Sequence, residues 1–170
     1  MTNPDAFMYV TSDQFPYIFN MPHFSQSSIK PQNRSVYHED PFMDVHWHDD
    51  VRIPRLYWKK FSATGAYRKA MDKLIELASE KRAKVCWLDM SALSIVDKED
   101  QTWIKDHWMP RIINHGVKHI AVAMPEAPLA KSSLLKGLRY DDPATLEIGY
   151  FNHPDESLDW LIHINNSKNY

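Results

Sequence analysis

The sequence predicts an α/β fold: a mainly parallel mixed sheet starting with a β-hairpin, in the order β-β-α-β-α-β-α-β-α. Three observations predict it. Two continuous apolar runs, "KVCWLDM" (84–90) and "VKHIAVAMP" (117–125), have the length and composition of strands covered on both faces. Segments with apolar residues at helical spacing lie between and after them, one opened by Asp97 and closed by Gly116. The first regular stretch, "FMDVHWHD" (42–49), alternates with period two, as a strand with one buried face does. Strands alternating with helices imply a mainly parallel sheet.

Taken in order, 42–49 and "PRLYWKKF" (54–61) form the hairpin, with Asp49 and Asp50 in its turn. Tyr67, Ala70, Met71, Leu74, Leu77 and Ala78 then recur on one helical face, and Lys81 and Arg82 suit that helix's C-terminal end. Residues 85–88 and 119–123 are expected as adjacent central strands. Between them, Asp97 is a good N-cap with Asp100 at the N3 position of a capping-box-like start. Ile104, Trp108 and Ile112 form the buried stripe of that helix, with Trp103 beside it. Pro110 should bend it, and Gly116 supplies a C′ glycine. "APLAKSSLLKGLR" (127–139) reads as a weaker helix because of Gly137. "LEIGYF" (146–151) is the last strand, and "HPDESLDWLIHI" (153–164) is the last helix, with Leu158, Leu161 and Ile162 inward.

Residues 1–37 differ from the regular span of 38–170. They are punctuated by Pro4, Pro16, Pro22 and Pro31, yet carry Phe7, Tyr9, Phe15, Tyr17, Phe19 and Phe24. Disordered segments are depleted in aromatics, so this stretch is expected to be an arm lying on a surface. Ordering it costs backbone entropy that only apolar burial offsets, and a partner subunit supplies a second surface. A homodimer with residues 7–24 in its interface is the expectation.

Composition narrows the function classes. The chain has 170 residues and a formal net charge of −2, so no global basic field points to nucleic acid or an anionic membrane. Its one cysteine, Cys86, excludes an intramolecular disulfide and fits a reducing compartment. No apolar run approaches the roughly 18 residues that span a bilayer. The start lacks the features of a secretory signal, so a cytoplasmic location is expected.

Motifs for chemistry are few. His46 and His48 point the same way from a strand, with Asp44 on that face, but no ligand from another element is identifiable, so the alternation reads as solvent-facing and no metal is expected. His107, His115 and His119 read as groups around the second helix rather than a triad. No nucleophile elbow, P-loop or dinucleotide fingerprint is present, and the four glycines do not form a phosphate cradle. No enzyme activity and no cofactor are expected. Trp87, Trp103 and Trp108 could line an apolar pocket between the sheet and the second helix.

The order of elements, together with Leu88-Asp89-Met90-Ser91 and the following Leu93, Ser94, Ile95, Val96 and Asp97, resembles the STAS domain of anti-sigma-factor antagonists. The tryptophan-rich "DQTWIKDHWMPRI" (100–112) and the ending with Tyr150, Phe151, Glu156, Trp160 and Leu161 look closer to small bacterial STAS/SEC14-like proteins. The resemblance covers roughly residues 42–164. It implies a regulatory protein-interaction module whose loop and helix start, Ser91, Ser94, Asp97, Lys98, Glu99 and Gln101, meet a protein partner. It also implies, as an alternative, a carrier or sensor of a lipid or other small apolar ligand. The sequence departs from the antagonists at the phosphorylated serine. Aligning Asp97 with the family aspartate puts Glu99 at that position, where a carboxylate is favoured by the helix dipole and cannot be phosphorylated.

Overall fold

The computed structural model describes residues 32–59 and 64–168. The aromatic arm, residues 7–24 included, lies outside the described residues. Six strands, β1 (Arg34–Glu39), β2 (Met43–His48), β3 (Ile53–Trp58), β4 (Val85–Asp89), β5 (His119–Ala123) and β6 (Glu147–Phe151), form one sheet in sequential order. β1 pairs antiparallel with β2 and β2 with β3, while β3 to β6 pair in parallel. The two expected central strands are adjacent, with Val85 opposite His119 and Asp89 opposite Ala123. Helix α1 (Thr64–Glu80) joins β3 to β4. The segment α2 (Lys98–Trp103), a π-helical turn (Ile104–Trp108) and α3 (Met109–Asn114) join β4 to β5. Helix α4 (Pro128–Leu138) joins β5 to β6, and α5 (Pro154–Ser167) follows.

The expected order placed two strands before the first helix; there are three. The added strand, β1, crosses residue 37, where the arm was expected to end. Almost all of its residues are exposed, so no buried face marks it in the sequence.

All three parallel crossovers advance in one direction across the sheet, and right-handed connections then place their helices on one face. Alternation along each strand divides the core accordingly. Cys86 and Leu88, Ile120 and Val122, and Ile148 and Tyr150 face α1 to α4 and join Leu74, Trp108, Ile112 and Leu134 in the main cluster. Val85 and Trp87, Ala121 and Phe151 point the other way, against Leu158, Leu161 and Ile162 of α5. Cys86 is fully buried, which pushes its thiol pKa up and leaves it an inert packing group.

Pro110 was expected to bend one continuous helix. Instead the ladder widens just before it: the Met109 N–H bonds to the Ile104 carbonyl, five residues back. Pro110 then falls in the first turn of α3, where a missing N–H costs little. Gly116 closes α3 as expected. Its φ of 89° lets Gly116 N–H reach Ile113 O and Val117 N–H reach Ile112 O, the paired bonds of a Schellman motif. Gly137, which weakened the helix reading of 127–139, is explained by packing. A Cβ there would lie 2.8 Å from Ile104 Cδ1, so its absence lets α4 close onto the π-helical turn.

Candidate partner-docking edge

The carboxyl ends of β4, β5 and β6 open onto one crevice, the position where parallel α/β sheets ordinarily carry their binding sites. An open groove of about 650 Å³ lies there. Ser91, Ala92 and Leu93 after β4 form one wall, Met124 to Ala127 after β5 the floor, and Asn152, His153 and Pro154 after β6 the far wall. Helices α4 and α5 both begin at this groove, each with proline in its first turn and no side chain capping it. Lys131 of α4 reaches across to Asn152 at 3.0 Å.

The loop from Ser91 to Asp97 is held from both sides. Leu93 and Val96 are buried, Val96 N–H donates to Ser133 Oγ of α4 at 2.9 Å, and Gln101 Nε2 donates to Val96 O at 2.8 Å. Asp97 caps α2 as expected, accepting Asp100 N–H at 2.8 Å. At its other end Ser91 Oγ donates to Asp89 Oδ1 at 2.7 Å, and Asp89 Oδ2 accepts from Arg55. Arg55 is stacked over Trp87, 4.2 Å from the ring centre, and over Tyr57 at 4.9 Å.

The expected docking residues therefore divide. Ser91 lines the groove, Asp97, Lys98 and Glu99 are exposed on the helix start, and Ser94 is half-buried on the loop. Gln101 is an internal tie rather than a docking group. Asp100 stands at N3 as expected, and its side chain turns inward. It is buried and pairs with Arg68 Nε at 2.6 Å, and burial raises its carboxyl pKa more than the arginine lowers it.

The three tryptophans proposed to share a pocket are not brought together. Trp108 lies fully buried in the main cluster, its Nε1 donating to Met71 O at 2.9 Å, with Trp103 packed beside that cluster. Trp87 points through the opposite face, where its Nε1 donates to Ser157 Oγ at 2.8 Å. One residue of strand register decides this: Trp87 sits between Cys86 and Leu88, which face the helix carrying Trp108.

The histidine pair also departs from expectation. His46 and His48 are each only 3% exposed, so they do not face solvent. Among the described residues, both ring nitrogens of His48 and Nδ1 of His46 have no hydrogen-bond partner. Burial lowers the pKa of both, with Arg55 adding to the effect on His48, which falls to about 4. Among the described residues no three His, Cys, Asp or Glu side chains are grouped to hold a metal. His107 and His115 are exposed on the helix surface, while His119 is buried against Trp160.

The residues that complete the groove, 124–127 and 152–154, were not singled out from sequence. Their types are ordinary, and only their place after two parallel strands marks them. Ser133 is the residue on which the loop depends. Replacing it with alanine leaves the buried Val96 N–H without its acceptor, a cost of about 1–3 kcal/mol. Faster amide exchange at residues 93–97, with the sheet amides unchanged, is the expected result in S133A. Among the described residues, no helix is long and apolar enough to cross a membrane. No protein-family model, curated protein or solved structure matches the chain.

Proposed function

We propose that the chain is a non-enzymatic protein-interaction module of STAS type, which receives its partner along the 91–99 loop, the start of α2 and the groove behind them. The observation that carries this reading is an exposed apolar pair on a fixed frame. Ile95 is 59% exposed and Leu129 72% exposed, and their elements are joined by the Val96–Ser133 hydrogen bond. Leu93 and Ala127, two residues before each, line the groove. Large apolar side chains held out on ordered backbone suit contact with a partner. Asp97 and Glu99 beside them supply a fixed negative rim, so the partner best fitted is an apolar segment with a basic flank. With Glu99 in the place of the family's serine, this contact is not switched by phosphorylation at that position.

The alternative, a carrier of a lipid or other apolar ligand, calls for an enclosed cavity lined by aromatic rings. The groove is open, and none of the tryptophans lines it. This favours the interaction module.

The test compares host-lysate partners of wild type with those of I95E/L129E. Both changes are at exposed positions, so the melting temperature should hold. The proteins retained by wild type should fall at least about tenfold in the variant, as loss of central apolar contacts implies. Equal retention by a folded variant would remove this edge as the docking site. Stoichiometric lipid in native mass spectra of the purified protein would favour the carrier.

A further inference from the structure

The side of the sheet that carries α5 is covered only in part by described helices. Helix α5 packs on β4, β5 and β6, and near its end Asn165 Nδ2 donates to Val51 O, in the turn before β3, at 2.9 Å. Helix α1 packs on β2 and β3 from the other side, through Met43, Val45, Leu56 and Trp58. Strand alternation and register therefore leave His46 and His48 of β2 and Arg55 of β3 on the α5 side, beyond the helix itself. Solvent should reach side chains on a half-bare sheet face. Yet His46 and His48 are almost fully buried, and Arg55, which lies over Trp87, is itself only 19% exposed. Val36, one strand further out and opposite His46, is 59% exposed. The cover thus lies over β2 and β3 and stops short of β1. Beneath it, His46 Nδ1 and both ring nitrogens of His48 have no hydrogen-bond partner among the described residues, although buried polar groups are ordinarily paired.

We propose that residues 7–24 of the same chain form this cover, seating aromatic rings on His46, His48 and Arg55. The described residues begin beside the patch. Gln32 N–H donates to Asp50 Oδ2 at 3.0 Å and Asp49 N–H donates to Asn33 O at 3.0 Å, at the end of β2 where His48 lies. Residues 25–31 span up to about 23 Å when extended, more than the roughly 20 Å of a strand such as β2, so the arm can turn back along the sheet. Phe7, Tyr9, Phe15, Tyr17, Phe19 and Phe24 suit the patch chemically. Flat rings stack on imidazole and on guanidinium groups. Tyrosine hydroxyls both donate and accept, as a neutral imidazole with one N–H and one bare nitrogen requires. An arm joined this close to the patch meets it at high effective concentration, which favours the chain's own arm over one from a second copy. The arm expected in a homodimer interface is thereby assigned to its own sheet.

Proton NMR of the full chain tests the assignment. NOEs are expected between the His46 or His48 ring and aromatic protons of residues 7–24, and a mixture of labelled and unlabelled chains should show them within one chain. Modification of histidine by diethyl pyrocarbonate gives a second reading. In wild type, His46 and His48 should react at least about tenfold more slowly than the exposed His107 and His115. In full-length F15S/Y17S/F19S both should approach the rate of that exposed pair, with unchanged amide exchange in β4 and β5 showing that the sheet is intact. Absence of the NOEs in wild type overturns the proposal whatever the variant does. So do NOEs found only between different chains, which assign the patch to a second copy, and an unchanged modification rate in the folded variant.

Discussion

Lowering the pH from 7 to about 4.5 is expected to remove several kcal/mol of folding stability, most of it through buried histidines. His48 and His119 each have a pKa lowered from 6.5 to about 4, and that of His46 is lowered in the same direction. Desolvation is the largest cause in all three. Arg55 and His46 add positive potential around His48, and Lys168 and Lys118 do so around His119. The sign follows from linkage. Unfolded chains take up these protons near pH 6.5, whereas the folded protein resists until about pH 4. Stability present above 6.5 is therefore lost progressively between those values. At about 1.4 kcal/mol per pKa unit, His48 and His119 each account for on the order of 2–3 kcal/mol. Replacing His48 with leucine deletes a titrating group whose ring nitrogens have no partner among the described residues, so the variant should match or exceed wild type at pH 7. Its loss on acidification should be smaller by about 2 kcal/mol. Urea unfolding at several pH values provides the comparison, and identical slopes for wild type and H48L would show that His48 is not buried neutral.

Truncating Arg55 should be among the most damaging single changes outside the aliphatic core. Arg55 is the cation for Asp89, whose side chain is 2% exposed and whose other oxygen accepts from Ser91. Removing one member of a buried pair leaves an uncompensated charge, at a cost of about 3–5 kcal/mol. R55M also loses the guanidinium contacts with the rings of Trp87 and Tyr57. Because Asp89 anchors the start of the proposed docking loop, the proposal implies that R55M weakens partner retention even under conditions where it remains folded. The double variant R55M/D89L replaces the pair with apolar volume and should recover most of the stability, since such exchanges are often neutral. If R55M unfolds at the same urea concentration as wild type, the ion pair does not hold the sheet in solution.

What the sequence disclosed was governed by local pattern, and what it withheld was governed by register. The paired strands 85–88 and 119–123 were legible as continuous apolar runs, and the ends of the segment between them were legible from Asp97 and Gly116. Those features depend on a few neighbouring residues. Strand β1 was not legible because it buries almost nothing, and its bulge breaks the alternation that would have marked it. The separation of Trp87 from Trp108 depends on which way one strand residue points, and a list of aromatics does not carry that. His46 and His48 looked solvent-facing because polar residues alternating with apolar ones usually are. The groove was hidden for a different reason: its walls come from three loops far apart in the chain, joined only by the parallel order of β4, β5 and β6. Ser133 and Arg68, which fix the loop and Asp100, likewise act across distances no local motif spans.

The arrangement of helices bears on how the chain matures during synthesis. Strands β3 to β6 take their places in the sheet in the order in which they are translated, and α1 to α4 cover one side of it as they emerge. The other side, with Val85, Trp87, Ala121 and Phe151, has α5 as its helix, and α5 is the last described element to be made. Of the described helices only α5 covers this apolar surface, which lacks that cover until residues 154–167 have left the ribosome, the kind of transient exposure that invites aggregation or chaperone binding. Stalling or premature termination before Trp160 would leave that side of the sheet without its helix, so cells should treat such products as misfolded however complete the first side is.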